Sequence, residues 1–266
     1  MRLPSSPPRL VPLVATALAG ALLASAATLP SYGASDEPGA PAAATTADEV
    51  VDPLTDPGTP TEIAEESLAA AEDLVAGEST QDPTLVLNQL SQTLSDLPTG
   101  DRRRAERILG RPTDPGGDPG LLAYEDGNGV PVDEETPYCL GDVCVHYVAS
   151  TRHAPPPADT SPADGVPDWV DEVARVVGNV WKQEVTGLGY KAPVPDLGTA
   201  PAGTANDEGP DTGLDVYLGD IGKDGYYGYA STDRASRPTS SAYLVLDDDF
   251  KDFPGTPAEL LRVTAA

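Results

Sequence analysis

Two histidines and two cysteines are the side chains of this 266-residue sequence best suited to nucleophilic or transition-metal chemistry. His146 lies in the alternating run VCVHYVAS, where a hydrogen-bonded structural histidine is favoured over a catalytic one. His153 lies in STRHAPPP, which predicts an exposed loop. The sequence contains no G-x-S-x-G motif. A Ser-His-Asp triad therefore stays open as an alternative, but no motif points to it.

The two cysteines, Cys139 and Cys144, are separated by four residues that include Gly141, which can turn the chain back. In an oxidising exterior this spacing predicts a disulfide. The alternative is two free thiols or half of a zinc site. It is less favoured because the sequence has no second Cys or His pair to complete a zinc tetrahedron. We therefore predict that this chain contains no zinc ligand set and no catalytic residue of its own.

Calcium is the other metal that the sequence suggests, because acidic residues occur with glycine in three segments, DTSPADGVPD (159–168), DIGKDG (220–225) and DDDFKD (247–252). Asp164 and Asp168 in the first segment are the candidate calcium ligands. Their alternative role is a favourable interaction with a helix N-terminus. None of the segments matches the twelve-residue EF-hand pattern. Paired carboxylates for glycoside hydrolysis cannot be recognised among 43 acidic residues, since their separation in space is not readable from sequence.

The charge balance and the first residues predict an exported protein. Sixteen basic against 43 acidic residues give a formal net charge of −27, which disfavours nucleic acid and anionic lipid as partners. Residues 1–34 predict a signal peptide, with Arg2 and Arg9 ahead of an apolar run at 10–27 and small residues at 24–26. The run is short for a membrane span, so secretion is favoured over an uncleaved anchor. We expect a secreted monomer with no membrane contact after cleavage.

Four segments come after the signal peptide. Residues 35–60 are acidic and rich in Pro and Ala, and they predict a disordered linker. Residues 61–111 carry apolar residues at helical spacing and predict three short helices. Their position favours a pro-segment and an ordinary N-terminal extension equally. Residues 112–136 predict a turn-rich linker, and residues 137–266 predict the main domain.

Within residues 137–266 the periodicities predict an α+β layer arrangement. Strands are expected at 143–150, 214–221, 226–232 and 241–250, and a long helix at 167–189. The β-branched residues of that helix indicate that packing against a sheet stabilises it. A last helix is expected to begin at Pro257, with Thr256 and Glu259 as a capping box.

The blocks VCVHYVAS, ADGVPDWVDEVARVVGNVW, LDVYLGDIGKDGYYGYAST, SAYLVLDDDF and LLRVTAA resemble, in this order, a family of exported bacterial zinc metallopeptidases of the zincin type. The resemblance covers most of residues 139–266. It implies an incomplete zincin-like domain: a backing helix, a twisted and mostly antiparallel sheet, and the start of the active-site helix. In that family the last block runs directly into H-E-x-x-H, immediately after the position that matches Ala266.

The H-E-x-x-H motif itself is not in this sequence. Its two histidines lie on one helical face and bind Zn²⁺, while its Glu takes a proton from the metal-bound water. The resemblance therefore implies zinc and a peptide or protein substrate for the intact domain, and no zinc or catalysis for the chain as it stands. The alternative is a non-catalytic exported acidic module that binds calcium.

Overall fold

The computed structural model describes residues 58–113, 122–194, 213–232 and 241–266. The predicted signal peptide at 1–34, and all but the end of the predicted linker at 35–60, lie outside these residues. Within the described ranges, no helix is both long and apolar enough to cross a membrane.

Three helices form the first part of the described chain, as predicted: α1 (Pro60–Val75), α2 (Pro83–Thr93) and α3 (Thr99–Ile108). A short 3₁₀ turn follows α2 at Leu94–Asp96. Helix α1 begins earlier than expected, because Thr59 and Glu62 form a complete capping box around Pro60. Asp82 caps α2 by accepting a hydrogen bond from the backbone N–H of Leu85.

The sheet has five strands: β1 (Tyr138–Leu140), β2 (Val143–His146), β3 (Leu214–Gly219), β4 (Gly228–Thr232) and β5 (Ala242–Asp247). Their order across the sheet is β1-β2-β3-β5-β4. The β2–β3 and β3–β5 pairs are parallel, whereas β1–β2 and β4–β5 are antiparallel. The α+β class is confirmed, but the prediction of a mostly antiparallel sheet is wrong. The long helix between β2 and β3 is the crossover that a parallel pair requires.

Helices cover both faces of the sheet. Helix α4 (Asp168–Trp181), which continues as a π-helical segment (Lys182–Gly187), and helix α5 (Pro257–Thr264) share one hydrophobic cluster with Val216 and Leu218 of β3. Helices α1 to α3 share the other cluster with Tyr217 of β3. Alternate residues of β3 thus face different helical layers, and every residue of the strand is buried. The segment predicted as pro-like packs on the same sheet as the main domain.

The predicted linker at 112–136 contributes to the core where it is described. Leu122 and Tyr124 are both buried. The hydroxyl of Tyr124 lies 3.1 Å from the carbonyl oxygen of His146 and 3.0 Å from that of Leu218, and its single proton is shared between them. This segment therefore joins β2 to β3 from the side of the sheet that faces α1 to α3.

The start of α5 differs in detail from the predicted capping box. Thr256 is the N-cap residue, but its side chain accepts no hydrogen bond from the helix. Instead the Thr256 hydroxyl donates to the Glu259 carboxylate at 2.6 Å. A hydrogen bond to an ionised carboxylate is stronger than one between neutral groups, so the threonine hydroxyl is used as a donor here.

Candidate metal centre

Three aspartates meet where two neighbouring parallel strands end. Gly219 of β3 pairs with Asp247 of β5, so Asp220 follows β3 at the same edge of the sheet at which Asp247 ends β5 and Asp248 follows it. Each of the three offers a carboxylate oxygen, and these oxygens all lie within 4.8 Å of one another. All three residues are buried. In the part of the chain that the structure describes, this Asp trio is the one group of three or more acidic, His or Cys side chains with convergent ligand atoms.

Asp247 is held by the backbone of the turn after β3. Its Oδ1 accepts hydrogen bonds from the N–H groups of Ile221 and Gly222, at 3.1 and 2.5 Å. Its Oδ2 accepts one from the N–H of Phe250 at 2.6 Å. Burial raises the pKa of Asp247, and these hydrogen bonds act in the opposite direction. A backbone hydrogen bond from Asp249 acts in the same direction, so the Asp247 carboxylate is held by the backbone on both sides of the site.

Asp248 lacks such support. Its Oδ1 is buried and has no hydrogen-bond partner, and the residue is only 1% exposed. Burial, followed by the charges of Asp249 and Asp247, raises the pKa of Asp248 to about 8. Buried carboxylates in proteins are normally paired or bound to a metal ion. Asp248 is therefore the member of the trio that an additional positive charge would stabilise most.

The backbone of Asp220 is hydrogen-bonded to His153, a residue for which the sequence predicts an exposed loop. That prediction is wrong, because His153 is 1% exposed and its Nδ1 accepts a hydrogen bond from the Asp220 backbone N–H at 3.1 Å. Burial and the charge of Arg152 lower the pKa of His153 to about 4, so the ring is neutral and carries its proton on Nε2. The ring thus positions Asp220 and has no lone pair left for a metal. Arg152 lies 3.8 Å from the Asp220 carboxylate.

His146 belongs to a second buried polar group on the same sheet. Its Nδ1 lies 3.1 Å from Glu134 and its Nε2 lies 3.2 Å from Asp215, and the ring stacks on Tyr217. Arg111 also contacts Asp215. Burial opposes the charged form of His146, but the hydrogen bonds to Asp215 and Glu134 outweigh it and raise the pKa to about 8.

The carboxylate of Asp215 responds in the opposite direction. Burial favours its neutral form, but the hydrogen bond from His146 and the charge of Arg111 lower its pKa. His146 is thus a hydrogen-bonded structural histidine, as expected from the sequence. With both of its nitrogens facing carboxylates, it is available neither to a nucleophile nor to a metal.

The predicted calcium ligands are not part of the trio: Asp164 lies in the loop before α4, and Asp168 is the first residue of α4. The Asp168 carboxylate accepts hydrogen bonds from the N–H groups of Thr160 and Ser161, at 2.9 and 2.8 Å. Asp164 Oδ1 accepts one from Val166 at 3.1 Å. These carboxylates therefore stabilise the loop that leads into α4 by hydrogen bonds to its backbone. Calcium binding by them stays a prediction.

Cys139 and Cys144 face each other across the β1–β2 hairpin, and their sulfur atoms lie at disulfide-bonding distance. The zinc that the resemblance implies for the intact domain does not fit the two histidines and two cysteines of this chain. Both cysteines are paired with each other, His146 is occupied by two carboxylates, and His153 by a backbone N–H. No zinc-dependent step is assigned to this chain's own residues.

The comparisons with known proteins add no relative. No family model, no curated protein and no solved structure matches the chain. The fold and the site define an α+β domain with a buried carboxylate centre at the ends of two parallel strands.

Proposed function

We propose that this chain supplies the N-terminal part of an exported zinc metallopeptidase domain and is not itself catalytic. The observation that carries the proposal is the docking of α5, the helix that in the resemblance leads into H-E-x-x-H. Leu261 of α5 is fully buried in the cluster that contains α4 and the sheet. Arg262 of α5 lies 3.9 Å from Glu172 of α4. A helix anchored in this way has a fixed direction, which a metal-binding helix needs.

The location and substrate belong to the same proposal. The two cysteines at disulfide-bonding distance suit an oxidising compartment, and the strongly acidic composition suits a secreted protein that avoids nucleic acid and anionic membranes. The substrate class is a peptide or protein, as the resemblance implies. The zinc ligands are expected downstream of Ala266, since the two histidines and two cysteines of this chain are engaged with other groups.

The coding sequence after codon 266, read in all three frames for H-E-x-x-H, tests the proposal directly. Residues 35–266 and the correspondingly extended chain are then purified and compared by metal analysis and by hydrolysis of casein. The extended chain should hold about one zinc ion and cleave casein, and Gln in place of its motif Glu should abolish cleavage but keep the zinc. Residues 35–266 should do neither. Tightly held zinc in residues 35–266, or no motif in any frame, would overturn the proposal.

A second candidate function is a non-catalytic, exported acidic module that binds calcium. The specific observation that favours it is the Asp trio with the unpartnered oxygen of Asp248. The peptidase proposal expects an H-E-x-x-H motif downstream of Ala266, and the calcium-binding module does not. The Asp trio lies entirely within this chain, so its calcium binding can be measured in either case.

A further inference from the structure

We propose that Asp220, Asp247 and Asp248 form a binding site for one calcium ion, which joins the end of β5 to the turn after β3. The site specifies the calcium binding of the second candidate function, and it is independent of the peptidase proposal, since it needs no residue downstream of Ala266. It also differs from the calcium ligands that the sequence suggested, Asp164 and Asp168.

The donor set selects the type of ion. Three carboxylates offer only oxygen ligands, which suit hard cations such as Ca²⁺ and Mg²⁺ rather than zinc or copper. Calcium binds oxygen at about 2.3–2.6 Å, so ligands on opposite sides of the ion lie about 5 Å apart. The oxygens of the trio lie within 4.8 Å of one another. Magnesium, with bonds of about 2.0–2.1 Å, requires a tighter and more regular arrangement.

A second observation points to a ligand at this place. Asp248 is 1% exposed and its Oδ1 has no hydrogen-bond partner. Leaving a buried carboxylate unpaired is costly. Two cationic side chains lie near the trio, Arg152 at 3.8 Å from Asp220 and Lys251 at 3.3 Å from Asp249, but neither is hydrogen-bonded to Asp248 Oδ1. A bound cation would give the Asp248 oxygen its missing partner.

The site is also formed in advance of any ion. The three backbone hydrogen bonds to Asp247 fix the orientation of its carboxylate. Asp220 is fixed by the hydrogen bond from its backbone to His153. Because the trio joins two segments that are distant in sequence, an ion bound there stabilises the folded state and not the unfolded chain.

The test is a calcium titration of residues 35–266 from which metal has been removed by a chelator. Calorimetry should show one site, with a dissociation constant of about 10⁻⁴ M, as in extracellular calcium modules. Magnesium should compete weakly. The melting temperature should rise with calcium and fall again with chelator. No binding at millimolar calcium would overturn the proposal.

Two matched variants locate the ion. Asp248→Asn keeps the shape of the side chain and removes its charge, so it should weaken calcium binding at least tenfold and lose the calcium-dependent rise in melting temperature. Asp164→Asn makes the same change in the loop before α4. It should leave the calcium affinity and the calcium-dependent rise in melting temperature unchanged. If Asp248→Asn does not fold, Asp220→Asn, at the more exposed end of the trio, replaces it. A full calcium response in the trio variants, or its loss in Asp164→Asn, would contradict the assignment.

Discussion

The carboxylate of Asp247 accepts a hydrogen bond from the backbone N–H of Gly222, and the two atoms lie 2.5 Å apart. This contact is possible because Gly222 has no side chain. A Cβ atom at that position would lie 2.8 Å from Asp247 Oδ1 and 3.1 Å from its Cγ. The close approach of the turn to the carboxylate thus links Gly222, in the acidic segment 220–225, to Asp247, in the acidic segment 247–252.

Gly222→Ala should therefore destabilise the domain and disturb the Asp trio. The methyl group displaces the Asp247 carboxylate and breaks one or more of its buried hydrogen bonds, at a cost of about 1–3 kcal/mol in the free energy of unfolding. Chemical denaturation measures that loss, and calcium calorimetry should show weaker binding. Gly127→Ala is the control, because a Cβ there meets no atom within 4 Å. Equal stability of the two variants would show that the contact has no energetic role.

The charge of His146 predicts a pH dependence of stability. Its neighbours are Glu134 and Asp215 at the ring nitrogens, Tyr217 stacked on the ring, and Arg111 beside Asp215. The pKa rises from 6.5 in the unfolded chain to about 8 in the folded protein. The folded state therefore binds the proton more tightly. This contribution, about 2 kcal/mol, is complete below pH 6.5 and is lost as the pH rises through about 8.

Denaturation of the wild type and His146→Gln at pH 6 and pH 9 measures this effect. The difference in unfolding free energy between the two proteins should be larger at pH 6. An NMR titration of the His146 ring provides a direct check, and Glu134→Gln should lower its pKa because an amide no longer favours the imidazolium. A His146 pKa near 6.5 in the wild type would disprove the expectation.

Local elements can be predicted from the sequence because their signals are local. The apolar spacing of Val173, Val176 and Val177 marks the buried face of α4, and Pro83 after Asp82 marks the start of α2. The three-residue strand β1 escapes prediction because it is too short to show any alternation. The pairing of β3 with β5 cannot be predicted from the sequence either. Strand β4 lies between them in the chain, and no local signal shows that β4 is the edge strand of the sheet.

The same limit explains how much of the site the sequence can reveal. The segments 220–225 and 247–252 are each recognisable as sources of oxygen ligands, but the sequence does not distinguish them from the segment with Asp164 and Asp168, the candidate calcium ligands. Only the parallel β3–β5 register brings Asp220 to Asp247. The burial of His153 is hidden because the prolines beside it are typical of exposed loops, whereas its ring accepts a hydrogen bond from the residue that follows β3.

The cysteine pair should be oxidised when the protein is in an oxidising compartment. Cys139 and Cys144 are opposite each other in the β1–β2 register. Mass spectrometry after alkylation without reduction should find both cysteines unmodified, and alkylation of both would refute the pairing. The double substitution to Ser should cost about 2 kcal/mol, because the closed loop is short and restricts the unfolded chain only modestly.

Helix α5 should depend on one side chain for its docking. An eight-residue helix is too short to be stable alone in water, so packing must hold it. Leu261 is fully buried against α4 and the sheet, whereas Val263, two residues later, is 78% exposed. Leu261→Ala should therefore lower the free energy of unfolding by about 2–5 kcal/mol, through lost burial and the cavity left behind.

Val263→Ala is the matched control, and it should change the stability by less than about 0.5 kcal/mol. Amide hydrogen exchange adds a local measurement. In Leu261→Ala the amides of α5 should exchange faster than those of α4, because the helix can open without unfolding the sheet. If both variants were equally stable and the α5 amides equally protected, the docking of α5 would not rest on Leu261. Helix α5 would then lack the anchor on which the proposed metallopeptidase role depends.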